Sequence, residues 1–173
     1  MLHPAATYQE SQPSLELAPY VKCYAFLEYN LPSSTILTDY FLPYGRPYLD
    51  INYRGKMWSD TPPFVGENFS ASHVAGQILE HFSHYHSGDS GMCGIFFHPS
   101  GFYKLFGLPM MELTHSNINI EDFFGEEGKR LISRIAESES FQQKFNILEA
   151  FLKKRLKCKF SATDNTDGVI QMI

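Results

Sequence analysis

The chain has 173 residues, of which 43% are hydrophobic and 19% charged, so it holds one domain with a real core and falls outside the composition of disordered segments. Its net charge is −5 and it has no basic run longer than Lys153-Lys154-Arg155, which excludes a free-standing surface built to neutralise phosphates. Aromatic residues reach 15%, which favours strands and a large core.

Residues 1–13 are polar, contain proline and lack periodicity, so they read as a flexible N-terminal arm. Residues 21–29 (VKCYAFLEY) are aromatic and β-branched enough for a strand. The turn Leu31-Pro32-Ser33-Ser34 leads to a second strand over residues 35–42, and Pro43-Tyr44-Gly45-Arg46 leads to a third over residues 48–53. Arg54-Gly55-Lys56 reads as a hairpin turn into Met57-Trp58, and Thr61-Pro62-Pro63 breaks the pattern again. Further strands are expected over residues 72–79 and 82–86. The turn formers Ser87-Gly88-Asp89-Ser90-Gly91 then precede a buried strand over residues 92–98.

After Pro99 the pattern becomes helical. Residues 102–106 make one helical turn closed by Gly107, and Pro109 opens another. Leu131, Ile132 and Ile135 share a helix face. Ser140-Phe141-Gln142-Gln143 has the form of a capping box. Phe141, Phe145, Leu148, Phe151, Leu152 and Leu156 then recur at helical spacing over about four turns. Lys153, Lys154, Arg155 and Lys157 follow at the expected C-terminal end, where cations complement the helix dipole. Residues 158–166 are polar and read as a linker, and a new apolar pattern begins at Asp167-Gly168-Val169-Ile170.

The resulting expectation is an α+β chain. A flexible arm covers 1–13. A single domain covers 14–157, with an antiparallel, β-barrel-like (cupin-like) half to about residue 100 and a helical half after it. Residues 158–173 are a linker and the start of a further region. The three cysteines, Cys23, Cys93 and Cys158, are far apart and form no CxxC, which fits a reducing compartment better than a disulfide framework or a zinc ribbon. There is no signal-peptide pattern and no apolar run approaching the ~20 residues of a membrane span, so the chain is expected in the cytoplasm.

Three local patterns bear on chemistry. Gly88-Asp89-Ser90-Gly91 resembles the nucleophile segment of chymotrypsin-like proteases, but a triad is a geometry and not a tetrapeptide, and a turn explains these residues better. His84 and His86 share one face of a strand, as two metal ligands would, and resemble the His-x-His of metal-binding cupins. The Glu that follows in those proteins is missing, and neither His73 nor His98 is fixed as a third ligand, so no metal and no cofactor is expected. Gly125-Glu126-Glu127-Gly128-Lys129-Arg130 lacks phosphate-loop spacing and reads as an acidic helix start.

The order of motifs along residues 15–157 is similar to the N-terminal domain of AraC-type transcriptional regulators. They are Leu42-Pro43-Tyr44-Gly45; Gly94-Ile95-Phe96-Phe97-His98-Pro99-Ser100-Gly101; Leu105-Phe106-Gly107-Leu108-Pro109; Glu112-Leu113; Glu121-Asp122-Phe123-Phe124-Gly125; and Leu148-Glu149-Ala150-Phe151-Leu152. The resemblance implies a non-enzymatic sensing or dimerisation module that takes a small effector, forms a homodimer, or both, and that touches DNA only through a C-terminal helix-turn-helix region absent from these residues. Tyr48, Tyr53, Trp58, His84 and His86 are the expected ligand-binding residues. Phe151, Leu152 and Leu156 are the expected dimer seam, because the phenylalanine-rich stripe exceeds what docking on a small sheet needs. Two alternatives stay open: a metal-dependent cupin-like enzyme using His84 and His86, and a free-standing interaction module.

Overall fold

The computed structural model describes residues 3–43, 45–59, 72–114 and 116–167. Tyr44 of the expected turn, the Thr61-Pro62-Pro63 break and the apolar pattern after Asp167 lie outside the described residues.

The architecture is α+β. Seven strands make one antiparallel sheet: β1 (Ala6–Ser11), β2 (Val21–Tyr29), β3 (Ile36–Phe41), β4 (Tyr48–Trp58), β5 (His73–Ala75), β6 (Phe82–Phe97) and β7 (Asn117–Asn119). The sheet runs β1-β2-β6-β4-β5-β7, with β3 also on β6, and it is open. The expected closure towards a barrel is therefore corrected, since β1 and β7 end the path without pairing with each other.

β6 organises the whole sheet. Its C-terminal half, Ser90 to Phe97, pairs with β2, and its N-terminal half, Phe82 to Ser87, pairs with β3 on the same edge. β4 runs along the opposite edge of both halves. Two segments expected to be turns lie inside these long strands. Arg54-Gly55-Lys56 belongs to β4 and Ser87–Gly91 to β6. Gly55 (φ 77°) and Gly88 (φ 66°) take the left-handed backbone that suits a tight turn, and the same conformation suits a β-bulge. Register shifts lie between Asn52 and Arg54 and between Arg54 and Lys56, the second spanning Gly55, so the strands are kinked there and continue.

The arm is also corrected in part, because Ala6–Ser11 forms an edge strand paired with Tyr24 to Tyr29. Its anchor is Glu149, whose Oε1 accepts from the Ser14 backbone N–H and the Tyr24 hydroxyl, each at 3.0 Å.

The helices are α1 (Gly101–Phe106), α2 (Ile120–Phe124), α3 (Glu126–Ala136) and α4 (Phe141–Asp167), with a 3-10 turn at Met110–Leu113. Gly107 closes α1 in the left-handed conformation, as expected. Ser140 caps α4: its Oγ accepts from the Gln143 N–H at 3.2 Å, and Gln143 Oε1 accepts from the Glu139 N–H at 2.8 Å. The expected linker at 158–166 continues α4 as helix to Asp167. The basic cluster therefore lies within the helix. There Lys153 pairs with Glu149, and Lys154 and Arg155 pair with Glu127 of α3.

One face of the sheet carries Tyr24, Phe26, Leu49, Ile51, Cys93, Ile95 and Phe97, which pack with Phe102, Leu131, Ile135 and Leu148 of the helices into the main core. Phe151, Leu152 and Leu156 are buried in this same core. The expected dimer seam is thus corrected: α4 lies against a ring of phenylalanines, Phe124 among them at 5.2 Å from Phe151, and its whole stripe is used inside the chain.

Candidate functional site

The other face of the sheet gathers the polar groups. Alternate residues of β6 on this side are Phe82, His84, His86, Ser90, Met92, Gly94 and Phe96, because side chains in a strand repeat with period two and the bulge at Gly88 preserves the parity. Cross-strand register adds Tyr29 opposite Ser90, Asp39 opposite His84, Tyr48 opposite Phe96, and Asp50 opposite both Gly94 and His73.

Ring contacts confirm the side. The His84 ring lies 4.6 Å from Phe41 and 4.8 Å from Phe82, and 6.2 Å from His86. His86 packs on Tyr29 at 4.5 Å, and Tyr48 contacts His73 at 5.7 Å and Phe96 at 5.9 Å.

Tyr29, Asp39 and His86 form a polar triad. The Tyr29 hydroxyl donates to Asp39 Oδ2, and His86 Nε2 lies 3.3 Å from the same oxygen. Burial pushes the Asp39 carboxyl up, but the bonds from His86 and Tyr29 outweigh it and leave the group below its ordinary value. Tyr29 is raised, by burial first and by its bond to Asp39 second. His84 is held well below the ordinary histidine value by burial, then by His86 and His73, so it is neutral and offers one donor and one acceptor.

Asp50 is the most unusual group. It is 5% exposed and has no hydrogen-bond or ion-pair partner among the described residues. Burial alone pushes its carboxyl up to about 7. Two further atoms on this face, His86 Nδ1 and Ser90 Oγ, are buried without a hydrogen-bond partner among the described residues. Buried polar groups in folded proteins nearly always have partners, so three such groups on one face mark a place for a partner that the described residues do not supply.

The sequence-expected residues divide. Tyr48, His84 and His86 are brought together on this face. Tyr53 and Trp58 are not, and their assignment is corrected. The Tyr53 hydroxyl donates to Glu28 Oε1 at 2.8 Å on the helix side, with Lys144 Nζ 4.5 Å from its ring centroid. Trp58 stacks at 5.5 Å on Tyr85, whose odd position in β6 points away from His84 and His86. Asp50, Asp39, Tyr29 and Ser90 were not anticipated as members of this face. The legible signal was Asp50, a carboxylate inside the apolar run Tyr48-Leu49-Asp50-Ile51.

His73, expected as one of two third-ligand possibilities, does approach the pair, yet no group of three His, Cys, Asp or Glu among the described residues is placed to hold one ion. A groove of about 490 Å³ on the helix side is lined by Phe106, Leu108, Phe123 and Phe124, with Arg155 and Cys158. Arg155 is already engaged there by Glu127 and lies 5.1 Å from the Phe124 ring centroid. The polar sheet face is therefore the stronger candidate.

An open antiparallel sheet backed by helices, with a buried polar face, is the class that these elements define. Residues 9–119, from within β1 to the end of β7, match the family described as Domain of unknown function (DUF6597), and the chain belongs to that family. No curated protein matches its sequence. Among the described residues no helix is long and apolar enough to cross a membrane.

Proposed function

We propose that this chain is the sensing domain of an AraC-type transcriptional regulator, a binding domain without catalysis. It holds a small effector on the polar face of its sheet and transmits occupancy to a helix-turn-helix region C-terminal to these residues. The observation that carries the reading is the set of buried polar groups on that face without a hydrogen-bond partner among the described residues: the Asp50 carboxyl, His86 Nδ1 and Ser90 Oγ. A ligand that satisfies them recovers the cost of leaving them unpaired, about 1–3 kcal/mol for each group. The order of motifs shared with AraC-type regulators supports the regulatory side of the reading. The transmission step is a shift between two arrangements that bind the effector unequally. Self-association, which the same resemblance implies, uses a surface other than Phe151, Leu152 and Leu156, which the core occupies.

The test is a thermal-shift screen of a metabolite library against the wild type and His86→Leu, followed by operator binding of the chain extended through its downstream region. A compound that stabilises the wild type but not the variant, and that changes operator affinity, supports the reading. Hits that stabilise both proteins equally, or that leave operator affinity unchanged, overturn it.

A further inference from the structure

Asp50 also constrains the chemistry of the ligand. The carboxyl sits over Gly94, where a side chain would collide with it: a Cβ there would meet Asp50 Oδ1 at 2.4 Å. Its surroundings are rich in rings, with Tyr48 stacked near Phe96 on its own strand pair and His73 opposite Asp50 on β5. The strand's own cations are elsewhere. Arg54 pairs with Glu28 and Lys56 is exposed at the kink. The chain thus brings a carboxyl into a buried, ring-lined place where no Lys or Arg among the described residues pairs with it.

An anionic ligand would find no opposite charge at Asp50, which offers either a neutral carboxyl or a second negative charge. A divalent metal would need a closed ligand set, and no three ligands converge among the described residues. Rings beside an unmatched carboxylate suit an organic cation, which gains from both the π faces and the charge-assisted bond.

We infer that the ligand of this face is a small organic ammonium, its N–H donors on the Asp50 carboxylate and its apolar body against Tyr48 and Phe96; the inference rests on the effector-sensing reading above. Binding replaces the proton that Asp50 carries when the site is empty, so one proton leaves for each ammonium that enters. Affinity then rises with pH through about 7, where Asp50 gives up its proton. The titratable groups around Asp50 are His73 on β5, His84 and His86 along β6, Asp39 on β3, and Cys93, which faces the opposite side of the sheet with Lys144 beyond it. None of them contributes to the shift of Asp50, which burial alone causes.

The experiment is isothermal titration calorimetry of the purified chain with matched trios of an ammonium, an alcohol and a carboxylate. The skeletons run from methyl to 2-phenylethyl, each measured at about pH 8 and about pH 5.5. The expected result is that one or more ammonium members bind at least about tenfold more tightly than their neutral and anionic partners. The preference should disappear in Asp50→Asn, whose melting curve serves as the folding control. Titrations of the wild type in buffers of different ionisation enthalpy should show close to one proton released per ammonium at about pH 5.5 and far less at about pH 8, and this measurement stands even if the variant does not fold. Alcohols or carboxylates binding as well as ammoniums, ammonium binding that survives Asp50→Asn, or no ammonium binding overturns the inference. If a neutral or anionic compound instead binds and is lost in His86→Leu, the sensing reading stands while this inference falls.

Discussion

Asp50 and Gly94 face each other across β4 and β6, and the glycine's missing side chain is what leaves room for the carboxyl, 2.4 Å from where a Cβ would stand. Gly94→Ala should therefore force a shift of β4 or a new rotamer at Asp50. The expected cost is about 1–3 kcal/mol, the usual range for overpacking a tight core. Urea denaturation of the purified variant measures it, and an unchanged midpoint would mean that the carboxyl does not lie over Gly94.

Asp50 and His84 set opposite pH trends. Asp50 is raised to about 7 when folded, against about 3.9 when unfolded, so the folded state holds the extra proton between these values. Its contribution is full below about pH 4 and is lost as pH rises, to a limit of about 4 kcal/mol above pH 7. His84 is lowered on folding, so its contribution is full above about pH 6.5 and is lost as pH falls below it. Asp50→Asn should remove the decline between about pH 4 and 7 and make the protein more stable than wild type at about pH 8. Denaturation midpoints taken across that range check the sign. A wild type whose stability climbs through it, unaltered by the substitution, contradicts the assignment.

Leu152 is fully buried among helix and sheet side chains. Leu152→Ala should cost about 2–5 kcal/mol, and Leu152→Glu should not give a folded protein. Circular dichroism and analytical ultracentrifugation separate the possibilities. A folded Leu152→Glu monomer derived from a dimeric wild type would restore the seam that the structure removes.

Two kink glycines should respond differently. A Cβ at Gly55 would stand 2.2 Å from the Asp89 carbonyl oxygen, and the backbone there is left-handed as well, so Gly55→Ala meets both a collision and strain. At Gly88 the nearest atom would be Ser33 Cα at 3.8 Å, which leaves strain alone, about 1–2 kcal/mol. Guanidinium denaturation of both variants should rank Gly55→Ala as clearly the worse, and equal losses would mean that β4 and β6 do not approach at this bulge.

Local physics determined much of this protein from the chain alone. The aromatic run at 21–29 became β2 with the same limits, Gly107 closed α1, and Ser140 capped α4, because strand propensity, left-handed glycine and capping hydroxyls act within a few residues. His84 and His86 share a face because strand geometry alternates side chains wherever the strand lies. Tertiary structure decided the rest. A glycine at positive φ serves a turn or a bulge equally well, and only pairing along β6 shows that Gly55 and Gly88 kink continuous strands. An apolar helix stripe states that a surface is buried, not against what, so Phe151, Leu152 and Leu156 passed from an expected seam to the core once α4 was placed. The polar face itself joins residues from β2, β3, β4, β5 and β6. Asp50 meets His73 and Gly94 only through strand register, a long-range property that no short window of sequence contains.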